Sequence, residues 1–281
     1  MPRFLTSHRA ALAVLGVTVL IHGACSSSTT TNSATASATK PPPAQATAAA
    51  GRPAVSVTQA ARPSGTAASA STPDPQTLAA AQTLTPALIQ TAELPQAERG
   101  FPQSGIIPVS NVEYGRNQPN AADVQSRLDK DGRIGGVTTG WSPVGQYSPG
   151  QKVITSVLDL LSEFQAADGA RDGLALVFSQ IDTQPAGSGA NGQAKSTPLD
   201  VGTLGDETRA YRVETNYNAA TTNASGTPTT DAVKQVLYVA GWRRGKVVAV
   251  VTISALNQDP PTDDLKQIVT LQDQKLQAAG F

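Results

Sequence analysis

One cysteine, Cys25, and two histidines, His8 and His22, are all that this 281-residue chain has of either type. Everything beyond Cys25 therefore lacks both imidazole and thiol. A Ser-His-Asp or Cys-His system needs an imidazole to take the proton of the attacking group. Protein zinc sites are built mainly from His nitrogen and Cys sulfur, and haem takes an axial His or Cys in most of its sites. These chemistries are excluded for the region after Cys25, and so is a disulfide framework. Catalysis there would fall to carboxylates, Lys, Tyr, Ser or Thr, and neither a metal site nor a cofactor is expected.

Aromatic residues make up only 4% of the chain and charged residues 15%. Part of the sequence therefore has little with which to build a core, and one domain is expected rather than two. Bases and acids balance at 21 each. Removing the segment before Cys25 takes Arg3 and Arg9 with it and leaves a net charge of −2. Such a chain offers no attractive field to a polyanion, so no nucleic-acid partner is expected.

Arg3, His8 and Arg9 make a basic start, and Ala10 to Ile21 follow without a charge. That run is too short to span a bilayer comfortably but has the length of a signal-peptide core. Gly23-Ala24 stand directly before Cys25. Small residues at those two places resemble the lipobox of bacterial lipoproteins, with His22 where an aliphatic residue is usual. The resemblance implies that residues 1–24 are a signal peptide, that Cys25 is lipidated, and that the protein sits on the extracytoplasmic face of the cell membrane. Without lipidation, cleavage after Ala24 would secrete it. Two acyl chains hold stably, each buried methylene adding about 0.8 kcal/mol.

From Cys25 to Pro75 nearly every residue is Ser, Thr, Ala, Pro or Gly, punctuated by Pro41-Pro42-Pro43, Pro53, Pro63, Pro73 and Pro75. Such a segment cannot offset its own ordering entropy, and a disordered tether is expected, with a reach of about 40 Å.

Residues 76–281 carry the periodicity of a folded domain. Leu78, Leu84, Leu88 and Ile89 predict a short helix or two, and Ile106 to Tyr114 a strand. Asn120 is placed to cap a helix with Val124 and Leu128 on one face. Ile134 to Trp141 and Val153 to Leu161 predict strands. Asp168 is expected to cap a helix whose Leu174, Val177, Phe178 and Ile181 keep helical spacing. A flexible loop, a strand over Thr208 to Tyr217 and a polar loop over Asn218 to Thr230 follow. Val233 to Trp242 and Val247 to Ala255 predict a hairpin through Gly245, apolar on both faces and hence central. Thr262 is expected to cap a closing helix with Leu265, Ile268, Val269 and Leu276 buried. Consecutive strands without intervening helices point to one α+β domain, an antiparallel sheet with helices packed on it.

Glu93-Leu94-Pro95, Gly100-Phe101, Gly132-Arg133-Ile134-Gly135-Gly136, Gly205-Asp206-Glu207 and Trp242 to Val248 are scattered through this region. In these short patterns it resembles the small lipid-anchored lipoproteins of actinobacteria and their relatives with a PsbP-like fold. That resemblance implies the fold and the anchor and brings no catalytic motif.

Asp129-Lys130-Asp131-Gly132 is similar to the start of a calcium loop, but alignment on the glycine puts Arg127 and Thr138 where acids are required. Gly205-Asp206-Glu207 with Arg209 could form a paired-carboxylate site, but Glu207 and Arg209 share a strand face, which fits an ion pair at a solvated strand entrance. No second acidic cluster at a known distance supports glycosidase chemistry. Trp141, Trp242 and Arg243 are candidate ligand contacts with Glu207 and Arg209, since an aromatic beside arginine stacks on sugars and lipid head groups. Equally, Trp242 would simply staple the end of the hairpin. The expected function is non-enzymatic binding or sensing, with an envelope glycan, a lipid or another envelope protein as partner besides the membrane. A carboxylate-dependent hydrolase of envelope polymers and an accessory subunit of an envelope complex are the alternatives.

Overall fold

A computed structural model describes residues 73–182, 194–222 and 228–281, apart from 117, 119, 146, 148 and 149. The expected signal peptide, Cys25 and all but the end of the tether lie outside the described residues. The described part opens with helix α1 (Pro75–Leu84), strand β1 (Ile107–Val109), and helices α2 (Asn111–Arg116) and α3 (Ala121–Lys130). Strands β2 (Arg133–Trp141) and β3 (Val153–Phe164) follow, then helix α4 (Ala167–Asp182). Strands β4 (Ala194–Pro198), β5 (Glu207–Thr222), β6 (Pro228–Arg244) and β7 (Val247–Leu256) precede the closing helix α5 (Thr262–Ala278).

The seven strands form one antiparallel sheet in the order β1-β2-β3-β7-β6-β5-β4. Its centre is β3, β7 and β6, which explains why both faces of the last hairpin are apolar. Alternate residues along β7 serve two cores. Val247, Ala249, Val251 and Ile253 pack with Leu84, Leu88 and Ile89 and with Leu265, Ile268 and Val269 of α5. Val248 and Val250 face the other way, toward Tyr114, Leu128 and the Leu174–Phe178 stripe of α4. Helices thus cover both faces, and the α+β expectation holds. Gly245 takes φ 55° in the β6–β7 turn, the conformation its position was expected to need.

Several local expectations are corrected. Pro75, expected in the tether, is the first residue of α1, where proline's missing N–H costs nothing, and Asp74 caps the helix by accepting from Thr77 N–H at 2.9 Å. The strand expected over Ile106 to Tyr114 ends at Val109. Ser110 and Glu113 form reciprocal bonds (Glu113 N–H to Ser110 Oγ at 3.2 Å, Ser110 N–H to Glu113 Oε2 at 3.0 Å) and start a helix. Asn120 precedes α3 without a side-chain cap bond, and Pro261 rather than Thr262 stands at the N-cap of α5. Asp168 lies inside the first turn of α4, paired with Arg171 at 3.3 Å. Ala194–Pro198, expected to be loop, adds the edge strand β4, and β5 and β6 extend into the expected polar loop as far as Thr222 and Pro228.

Candidate functional site

The five candidate contact residues divide between opposite faces of the sheet. Trp141 and Trp242 are both fully buried in the core beneath α5, so neither ring has a face open to a ligand. Trp141 Nε1 donates to Thr91 Oγ1 at 3.0 Å. With β3 and β7 between their strands, and Trp141 level with Tyr238 rather than with Trp242, the two residues stand about 20 Å apart. Glu207, Arg209 and Arg243 come together on the other face, because Glu207 lies opposite Arg243 and Arg209 is two residues along β5. There Arg209 Nη2 pairs with Glu207 Oε1 at 2.9 Å, and Arg243 Nη1 pairs with Asp206 at 2.8 Å while also donating to Gly245 O. Asp206 further accepts from Gly245 N–H, so this cluster fastens the hairpin tip.

The structure builds a different site on the same face, toward the β1–β2 edge of the sheet. Gly132, at φ 70°, turns the chain out of α3, and Arg133 follows as the first residue of β2. The Arg133 side chain lies under α2 and is only 4% exposed. Its Nε donates to Ser162 Oγ at 3.1 Å, and its Nη1 donates to Val109 O at 3.1 Å and Asn111 Oδ1 at 2.8 Å. Asn111 also donates to the Arg133 carbonyl, so it grips both the main chain and the side chain. The guanidinium carbon stands 5.1 Å from the centre of the Tyr114 ring, a cation–π distance.

One donor group remains. Arg133 Nη2 is buried and has no hydrogen-bond partner among the described residues. Gly136 makes its space, since a Cβ there would lie 2.6 Å from Nη2. Nor does Arg133 form a salt bridge among the described residues. The nearby acid Glu113 is held by Ser110, and the buried Glu163 is paired with Lys246 at 2.6 Å. Burial pulls the Arg133 pKa down to about 10, opposed in part by Tyr114 and Glu113, so the group stays cationic at neutral pH. A buried, unpaired N–H costs about 1–3 kcal/mol, and a buried ion without its partner costs more.

Beside this guanidinium lies a recess between the sheet and the helices, bordered by Ser162, Val248 and Val250 below and by Leu128 and Gly173 at the sides. Of its lining residues only Val177 of α4 is not buried, which puts the mouth beside that side chain. The space is tight, admitting about one water-sized body. Arg133 was legible only as part of the glycine-rich Gly132–Gly136 pattern. The usable signal was a long cationic side chain in a strand next to residues too small to cover it.

Two carboxyl groups are strongly perturbed elsewhere. Burial pushes Asp159 and Glu98 each up to about 7, Glu98 with help from Asp264. Both are 0% exposed, so neither meets a polymer substrate in this arrangement. Asp159 accepts from Ile89 N–H at 2.9 Å and from the Gln272 amide. No cluster of three or more metal-binding side chains occurs among the described residues, and no described helix is long and apolar enough to cross a membrane.

No family model matches the chain, and no curated protein matches it. Among solved structures it is similar to the extracellular domain of PknH from Mycobacterium tuberculosis, at 15% identity and a TM-score of 0.42, covering 70% of this chain and 97% of that one.

Proposed function

We propose that this chain is an extracytoplasmic lipoprotein, anchored through Cys25, whose α+β domain binds a ligand and leaves it chemically unchanged. The anchor rests on the basic start, the uncharged run from Ala10 to Ile21, and Gly23-Ala24 before the sole cysteine. The short patterns shared with small PsbP-like lipoproteins support the same placement. The observation that carries the binding reading is the buried Arg133 cation, with a free donor beside a recess that opens next to Val177. Buried polar groups normally have partners, and a buried cation that lacks one within the protein calls for water, an ion or another ligand.

Growth with a labelled fatty acid tests the anchor. The wild-type protein is expected to carry the label, and Cys25→Ala is expected to lose it and shed the protein into the medium. An unlabelled wild type with an unmodified amino terminus removes the anchor. Any compound that raises the unfolding temperature is expected to be recovered intact after incubation, whereas a product would replace binding with catalysis.

A further inference from the structure

We propose that the Arg133 recess is a receptor for one small, weakly hydrated monoanion of the halide class, with chloride as its simplest occupant. This rests on the reading that the domain binds a ligand at this recess. Charge sets the valence. One guanidinium with no salt bridge among the described residues can neutralise one negative charge. A dianion such as sulfate would bring a second charge among Leu128, Val248 and Val250, where nothing offsets it.

Size sets the class. The space admits about one water-sized body, which suits a monatomic anion and is too small for an organic acid with a tail. Walls that are mostly apolar cannot replace a full hydration shell, so an anion that gives up water easily is favoured over fluoride. Two donors are available. Arg133 Nη2 is unpartnered among the described residues, and Ser162 Oγ accepts from Arg133 Nε and so keeps its own proton to donate. Access runs past Val177, the lining residue that is not buried.

The test uses the full mature chain, made soluble by Cys25→Ala, at constant ionic strength. Thermal unfolding is followed in chloride, bromide, nitrate, fluoride and acetate, with the chlorine-35 line width as a direct binding readout. Chloride and bromide are expected to raise the unfolding temperature saturably, by roughly 5–10 °C at a hundredfold excess over Kd, whereas fluoride, which holds its water, and the polyatomic nitrate and acetate are not. Arg133→Met and Val177→Phe are expected to abolish the rise and the line broadening, the first by removing the charge and the second by closing the mouth. Should Arg133→Met fail to fold, Val177→Phe carries the test, since it alters a partly exposed helix position. A rise of equal size in fluoride, or one that survives both substitutions, overturns the proposal. An Arg133-dependent response to acetate without one to halides overturns the halide assignment and leaves the binding reading standing. No response to any anion means that water alone solvates the guanidinium, and both fall.

Discussion

Asp159 stands at 0% exposure in the central strand β3, where burial raises its pKa to about 7 against a usual 3.8. The Ile89 N–H, the Gln272 amide and the Lys275 charge pull it down, and Glu93 pushes it up, but burial dominates. Between those two pH values the folded protein holds a proton that the unfolded chain has released. The stabilisation is therefore complete below about pH 4 and is lost as pH rises to about 7, on the order of 4 kcal/mol in all. Glu98 acts in the same direction. The urea midpoint of the wild type is expected to fall between pH 4.5 and pH 7.5, and Asp159→Asn is expected to remove about half of that fall, leaving the share of Glu98. An undiminished fall in Asp159→Asn would mean that this carboxyl is ionised throughout. None of this was legible in the sequence, because Asp159 reads as one acid in a strand, and only the sheet order and the packing of α5 set its surroundings. Lys246, which reads as a solvent-facing turn residue, likewise proves to neutralise the buried Glu163.

Helix α4 lies unusually close to the sheet, and its glycines permit this. A Cβ at Gly173 would lie 2.3 Å from Cζ of the Phe164 ring, and one at Gly169 would lie 1.9 Å from the Asp131 carbonyl oxygen. Helical glycine costs about 1 kcal/mol relative to alanine, so a Gly→Ala change at an open site would stabilise. At Gly173 the opposite is expected. Gly173→Ala should destabilise by roughly 1–3 kcal/mol, because the Phe164 ring is itself buried and has nowhere to move. Chemical denaturation of this variant checks it, and a gain in stability would show that α4 can lift away. Elements with a strong apolar period were legible: the last hairpin, the Leu174–Phe178 stripe and the buried face of α5 all appear where their spacing placed them. What failed were weakly patterned pieces. Strand β4 is Ala-Lys-Ser-Thr-Pro, with neither alternation nor branched aliphatics, and it exists because β5 offers an edge to pair with. The Ser110–Glu113 capping box follows directly on Ile106, Ile107 and Val109, whose β-branched side chains favour a strand.

At the scale of the molecule, the segment before β1 belongs to the fold. Leu84, Leu88, Ile89 and Leu94 are all 0% exposed, and Ile89 supplies a hydrogen bond to Asp159. Truncating a buried large aliphatic side chain costs about 2–5 kcal/mol, so losing four of them would cost about as much as the whole stability of a typical domain. A chain beginning at Pro73 is expected to unfold cooperatively, and one beginning at Pro95 is expected to show no transition by circular dichroism. A cooperative transition in the shorter chain would confine the core to the sheet and the later helices. The sheet order has a consequence for assembly. Strands β1 to β3 form one meander and β4 to β7 another, and the two are joined along the β3–β7 seam, where Glu163 meets Val247 and Val153 meets Leu256. The strand that seals the first half is thus the last one synthesised. A chain interrupted before β7 is then no smaller copy of the protein. Its β3 would present an apolar backbone edge with open hydrogen-bonding groups, a template for any passing strand. The C-terminal hairpin and helix act as the lock of the whole assembly, and unfinished chains carry the risk of clumping.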